Sequence, residues 1–159
     1  MDKVKGYITA GKIDAAIALC RSNDNPASRM IEKGISRIGR PLPDVTAAIE
    51  ILGNLEIQKL EKGLPALASA SGGAPMLGFL GTVTGMIRAF YDMANAGNNI
   101  DITLLSSGIY EAMVTTVAGL IVGIIAYFAY NILVSNIEKV VFKMEATTTE
   151  FMDLLYEPA

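Results

Sequence analysis

GLPALASASGGAPMLGFLGTVTGMI, residues 63–87, and ITLLSSGIYEAMVTTVAGLIVGIIAYFAYNILVSNI, residues 102–137, decide the fold. The first runs between Lys62 and Arg88 without a charge, and in the second the only charged residue is Glu111. Each exceeds the roughly 20 residues with which an α-helix crosses a hydrocarbon core. A charge inside such a segment is costly, so it usually faces protein or water and marks an ion or substrate path. The pair predicts an all-α integral membrane protein. It is read as a helical hairpin whose long helices extend into a cytoplasmic helical bundle.

Working outward, the charges give the orientation. Ten of the 13 Lys and Arg residues lie between Lys3 and Lys62, two more are Lys139 and Lys143, and the segment from Asp92 to Asp101 has none. The positive-inside rule places both ends of this chain in the cytoplasm and the connecting loop outside. The expected organisation is a cytoplasmic helical region at 1–62, a membrane helix at 63–93, an external loop at 94–102, a membrane helix at 103–134 and a cytoplasmic helix at 135–159. Overall composition agrees, with 52% hydrophobic residues, a mean hydropathy of +0.41 and a net charge of −3. The N-terminus is mixed in charge and lacks the continuous apolar run of a secretory signal.

The same composition argues against most enzyme chemistry. There is no histidine, the commonest general base and metal ligand. Cys20 is alone, which excludes a cysteine cluster or disulfide within the chain. Gly78 to Gly85 is glycine-rich but lacks the G-K-[ST] ending of a phosphate loop. Acidic and basic residues alternate through the first sixty positions, so nothing suggests a nucleic-acid surface. The expectation is a non-enzyme with no cofactor and no metal.

Residues 1–42 read as short amphipathic helices, with stripes at Ile13, Ala16, Ile17, Cys20 and at Met30, Ile31, Ile35, Ile38. Asn25-Pro26 breaks between them, and Asp44 is the expected N-cap of the next helix. That helix is expected to continue almost without pause into the first apolar stretch. Positions 44–95 would make a rod of about 75 Å, kinked at Pro65 or Pro75. The loop Ala94 to Asn99 holds turn formers. Beyond Val134, helical spacing continues through Ile137, Val140, Val141, Met144, Phe151 and Leu155 up to Pro158, a stripe that needs a partner helix, most simply the cytoplasmic part of the first rod.

Within the membrane stretches, small residues fall on single faces. Ala74, Gly78, Gly81, Thr82, Gly85 and Ala89 share one on the first helix, and Ala112, Thr116, Gly119, Gly123 and Tyr127 share one on the second. Such faces let membrane helices approach closely, so they read first as packing. Thr82 and Thr116 each stand in the middle of a small face, where a hydroxyl can hold water, relay a proton or bond its own helix's i−4 carbonyl. Thr115 lies about 100° from Thr116 and is expected to serve the Glu111 side instead. Glu111 reads either as a snorkelling interfacial charge or as a protonatable group in a subunit interface. Arg88 reads as an anchor. Asn131, with Tyr127 and Tyr130 beside it, reads as an interfacial amide or the lining of a water exit.

Three strings together carry a specific resemblance. Ala74-Pro75-Met76-Leu77-Gly78-Phe79-Leu80-Gly81-Thr82-Val83-Thr84-Gly85-Met86-Ile87 resembles the second membrane helix of the MotA/TolQ/ExbB proton-channel family. Gly108 to Leu120, containing Tyr110-Glu111-Ala112 and Thr115-Thr116, resembles its third, and Tyr130-Asn131 closes that helix as in relatives. The Glu111–Thr116 spacing is nearer the ExbB/TolQ branch than the flagellar one. The resemblance implies a ring subunit, usually in a pentamer, of an inner-membrane motor driven by the proton motive force. The ring surrounds a pair of ExbD- or TolR-like single-span helices and drives a TonB- or TolA-like protein. It implies proton-pathway or partner-facing roles for Thr82, Thr116, Glu111 and Asn131. Helix-packing roles fall to Gly78, Gly81, Gly85, Gly119, Gly123 and Pro75. The family normally has a further membrane helix ahead of the cytoplasmic region, and nothing before Lys3 supplies one; Ile125 stands where the branch usually has a proline. The alternatives are a flagellar-type stator, with a functional patch at Arg21, Arg29, Lys33, Arg37 and Arg40, and a passive membrane scaffold without ion flux.

Overall fold

The structure, a computed structural model, describes residues 2–96 and 102–156. The part of the expected loop from Gly97 to Asp101 lies outside the described residues, as does Pro158. Among the described residues the regular structure is entirely helical: α1 (Asp2–Thr9), α2 (Ile13–Ser22), α3 (Pro26–Ile35), α4 (Leu42–Glu61), α5 (Leu64–Asn95) and α6 (Ile102–Tyr156). The chain divides into two compact units, one from residues 1–62 with 135–159 and one from residues 63–134.

The first unit has a water-soluble kind of core. Successive helices α1 to α4 pack on one another. Ile31, Ile35, Val45 and Ile49 from α3 and α4 enclose Met144 and Phe151 of α6, all of them buried. The stripe beyond Val134 thus finds its partners on α3 and α4. A phenyl ring fits there because Gly34 leaves room: a Cβ on Gly34 would meet Phe151 at 2.6 Å and Ile49 at 2.8 Å. Asn25 starts α3 by accepting the Ser28 N–H at 2.8 Å, with Pro26 in the first turn. Asp44 is not the cap of α4. Pro41 holds that position with extended ψ, and Asp44 lies inside the first turn, where its charge still complements the helix dipole.

Several charges in this unit are paired. Glu56 is buried on α4, where Arg29 from α3 and Lys59 from its own helix donate to its carboxylate, Lys59 at 2.7 Å. Arg29 also reaches Asp24, and Arg21 pairs with Glu32 at 2.7 Å. The Arg29 hydrogen bond, then that of Lys59, holds the Glu56 carboxyl below the usual glutamate range. Burial pushes the Cys20 thiol up, consistent with an inert side chain.

The helix expected to run almost without pause from 44 to 95 pauses for two residues, Lys62 and Gly63. α4 ends at Glu61, and Gly63 takes φ +113° before α5 begins. A left-handed residue cannot extend a right-handed helix, and only glycine adopts it without a Cβ penalty. Pro65 then falls in the first turn of a new helix, where its missing N–H costs no bond. Pro75, by contrast, lies inside α5, which continues through it. In the second unit α5 and the first part of α6 carry exposed large apolar side chains such as Leu77, Phe79, Ile121 and Phe128. Both helices are long and apolar enough to cross a membrane.

Two outcomes are expected for the first unit. Phe151→Ala destabilises it by about 3–5 kcal/mol, the cost of emptying a large buried site, whereas Ile51→Ala on the exposed face of α4 changes it little. Amide hydrogen exchange resolved along α3 and α4 reads both. The Glu56 contribution is fully present above the ordinary glutamate pKa of about 4.3 and is lost as pH falls through the depressed folded value. Acid-unfolding curves should therefore show a steeper acid limb in the wild type than in Glu56→Gln.

Candidate functional site

The site grows from the backbone contact between α5 and α6. Ala89 stands opposite Gly108, Gly85 opposite Ala112, Gly78 opposite Gly119, and Pro75 opposite Gly123. Steps of four and seven residues down one helix are matched by equal steps up the other, and a last step of three by one of four, which is antiparallel packing with a fixed register. The approach is close. A Cβ on Gly119 would stand 2.5 Å from the Ala74 carbonyl oxygen and 2.9 Å from the Gly78 Cα. A Cβ on Gly123 would meet the Pro75 ring at 2.5 Å and the Ser71 carbonyl oxygen at 3.1 Å. That carbonyl is the one that Pro75, having no N–H, leaves without its helical donor. Gly108 and Ala89 complete the contact at the far end. Gly108 escaped the sequence reading, although it lies four residues before Ala112 on the same face.

Three hydroxyls meet beside Gly78, within this contact. The Thr82 hydroxyl has its own Gly78 carbonyl at 3.3 Å, the Ala112 carbonyl of α6 at 3.1 Å, and a hydrogen bond to the Thr116 hydroxyl. Thr116 reaches the Gly78 carbonyl at 3.2 Å. Thr115, expected on the Glu111 side rather than on the face of Thr116, also reaches Gly78 across the interface, at 3.3 Å, and bonds the Ala112 carbonyl at 2.7 Å. The reason is Gly81: with no side chain there, the Thr115 hydroxyl fills the space a Cβ would occupy, 2.5 Å from that position. An interface this close has width, so two residues 100° apart both enter it. Thr82 and Thr116 are half-buried. Neutral hydroxyls with carbonyl acceptors are the polar groups that a membrane interior tolerates.

Glu111 lies on a different flank. It lines a groove of about 600 Å³ with Thr84, Arg88 and Asp92 of α5 and Ser107 and Thr115 of α6. Arg88, Asp92 and Glu111 are exposed, and no ion pair links them. Thr115 therefore belongs to both features: it lines the charged groove and bonds the carbonyls of the hydroxyl cluster. Asn131 is remote from both, about 22 Å along α6 from Thr116. It is exposed, and its amide donates to the Tyr127 carbonyl at 2.8 Å. Tyr127, placed on the small face by periodicity, is exposed and sits edge-on to Phe128 at 6.0 Å. α6 runs through Ile125 without interruption. Among the described residues no group of three or more acidic, His or Cys side chains could hold a metal ion.

Comparison with known proteins points one way. The family model described as the MotA/TolQ/ExbB proton channel family matches residues 22–146. An ExbB-like biopolymer transport protein of Synechocystis sp. is 33% identical over 129 residues, covering 77% of this chain and 51% of that protein. The Tol-Pal system protein TolQ of Haemophilus influenzae is 30% identical over 135 residues, covering 80% of this chain and 59% of its own length. The biopolymer transport protein ExbB of Neisseria gonorrhoeae is 30% identical over 135 residues, covering 76% and 61%. The chain thus spans about half to three-fifths of the length of these curated relatives.

The helix contact yields its own test. Gly119→Leu forces side-chain atoms into the α5 backbone, which has no flexible end to yield, and costs at least about 1–3 kcal/mol. The exposed Ile125→Leu should be neutral. Thermal unfolding in detergent, followed by tyrosine fluorescence, should separate the two variants.

Proposed function

The chain belongs to the MotA/TolQ/ExbB proton channel family, and we propose that it is a ring subunit of a proton-driven motor of the ExbB/TolQ kind in a bacterial inner membrane. In this reading the hairpin spans the membrane, with both ends of the chain in the cytoplasm. Copies of it close into a homo-oligomer, a pentamer, around a pair of ExbD- or TolR-like single-span helices. The assembly energises a TonB- or TolA-like protein that works at the outer membrane. The chain itself makes and breaks no covalent substrate bond and needs no cofactor.

The observation that carries the reading is the Thr82–Thr116 hydroxyl pair within the close contact of two apolar helices. A hydroxyl both donates and accepts, so a linked pair can pass a proton that neither could store. Glu111 offers an ionisable group on the flank, reachable through the groove. The exposed apolar side chains suit lipid and neighbouring copies. One proton crossing 100 mV gains about 2.3 kcal/mol, enough for a few protons to shift a packed helix assembly between discrete arrangements. The flagellar-type alternative draws less support. It asks for available cations on the cytoplasmic unit, and two of its five, Arg21 and Arg29, are engaged in ion pairs.

The reading is tested with the chain and its single-span partner co-reconstituted in liposomes that carry a potential and a pH-sensitive dye. Thr82→Ala and Thr116→Ala should each lower proton flux at least about tenfold, while native mass spectrometry finds the same oligomer. A passive scaffold would lose nothing with either hydroxyl.

A further inference from the structure

We propose that the first unit docks head-to-tail on a second copy of itself: the flank of α6 that carries Lys139, Phe142 and Lys143 seats in the α4–α6 groove of its neighbour. The inference rests on the ring reading above and adds the surface by which neighbouring copies meet outside the bilayer.

The acceptor is a groove of about 390 Å³ between α4 and α6. Its floor is apolar, made by Met30, Ile49, Ile57, Val141 and Met144. Gly53 keeps the floor low, since a Cβ there would meet the Met30 Cε at 2.8 Å. Two carboxylates, Glu50 and Glu145, line the groove, and no cation does. Both are exposed, and among the described residues neither has an ion-pair partner.

The donor lies on another side of the same helix. Phe142 is the most exposed large apolar side chain of the described residues in this unit, at 70%, where it walls a shallow groove with Pro26 and Ala27. Lys139 and Lys143 fall about 60° and 100° round α6 to one side of it, and Glu145 and Val141 fall about 60° and 100° to the other. Both lysines are exposed and, among the described residues, without an ion-pair partner. One chain thus carries two faces, complementary in charge and in shape, that cannot meet each other.

A second copy brings them together without sliding. A ring of membrane helices turns about an axis near-parallel to α6, so each residue keeps its height from copy to copy. Phe142 stands about 1.5 Å from Val141 along the helix, and Lys143 about 3 Å from Glu145. Rotation therefore delivers the phenyl ring to the Val141–Ile57 end of the groove and the Lys143 ammonium to Glu145. A cavity of about 150 Å³ suffices for benzene, so the ring has room. The two faces point about 130° apart around α6, so the contact is heterologous and turns at every step, the condition for closing a ring. A lipid chain in the groove would leave all four charges unanswered.

The test cross-links the full chain, produced with its single-span partner, in membranes. Lys143→Cys combined with Glu145→Cys is oxidised with copper phenanthroline and separated without reductant. The two positions lie about 160° apart around α6, so one chain cannot close on itself. Cys20, which is buried, stays in place in every variant. The inference expects a ladder of covalent oligomers from the double variant and monomer alone from each single variant, because a head-to-tail contact never brings a residue to its own copy. Adding Phe142→Ser slows the ladder at least about fivefold. Adding Ile51→Ser, similarly exposed on α4, leaves it within about twofold. Should the double variant not assemble, Lys143→Cys with Asn54→Cys, on the α4 rim, carries the same comparison. Monomer from the double variant, while native mass spectrometry finds a closed wild-type oligomer, overturns the inference and leaves the ring reading standing. Dimers from a single-cysteine variant overturn it in favour of an isologous contact, and so does a ladder indifferent to Phe142→Ser, which would leave the phenyl ring outside the contact. A wild type that forms no oligomer overturns the ring reading and this inference together.

Discussion

The backbone approach of α5 and α6 is the constraint on which the rest depends. Inside a bilayer, apolar side chains gain nothing by turning from lipid to protein, so helices associate through close packing and polar contacts. Glycine and alanine at Ala74, Gly78, Gly85, Ala112 and Gly119 let the main chains meet. Once they meet, hydroxyls on one helix reach carbonyls on the other, which longer side chains at the contact would prevent. The hydroxyl cluster is thus a product of the packing and also part of its glue, although one such bond in a membrane is worth only about 0.6 kcal/mol on average.

The two units are held together by different physics. The unit with Phe151 and Ile31 at its centre hides its apolar side chains from water and can bury Glu56, because Arg29 and Lys59 neutralise it. The hairpin does the reverse: it shows its large apolar residues outward and hides its smallest ones. Its charges, Arg88, Asp92 and Glu111, are gathered on one flank toward the end where the helices connect. There a charge can reach water cheaply.

Much of this was legible in the sequence, and the misses have physical causes. The 3.6-residue period placed Ala74, Gly78, Gly85, Gly119 and Gly123 on facing surfaces, because membrane helices change direction little over a few turns. The stripe from Val140 to Leu155 pointed to the cytoplasmic part of the first rod as its partner, and α4 supplies Val45 and Ile49; the share taken by Ile31 and Ile35 of α3 arises only through the fold. The pause in the rod falls at residues 62 and 63, on a backbone torsion. Gly63 in a glycine-permissive position looks no different in sequence from Gly72 or Gly73, which are helical. Thr115 does line the Glu111 groove as expected, but it also enters the Thr116 face, because a helical wheel treats an interface as a line. At a glycine contact the line becomes a band wide enough for neighbours on either side of its centre. The back-bonded amide of Asn131 reflects a choice between carbonyl and water that residue type alone does not settle.

The chemistry of the cluster sets a limit on what the hairpin does by itself. A hydroxyl can pass a proton but holds an extra one only fleetingly, because neither its protonated nor its deprotonated form is stable near neutral pH. The groups at the centre of the α5–α6 contact are hydroxyls and carbonyls only. The hairpin's ionisable side chain nearest them in sequence, Glu111, stands on the flank. A device that converts proton passage into motion must hold the proton long enough for the structure to respond. On the motor reading, the holding group therefore has to come from Glu111, brought in by rearrangement, or from a carboxylate on a partner helix laid against Thr82 and Thr116. The second arrangement asks less of the hairpin: its closely packed backbones stay where they are, and the partner alone moves.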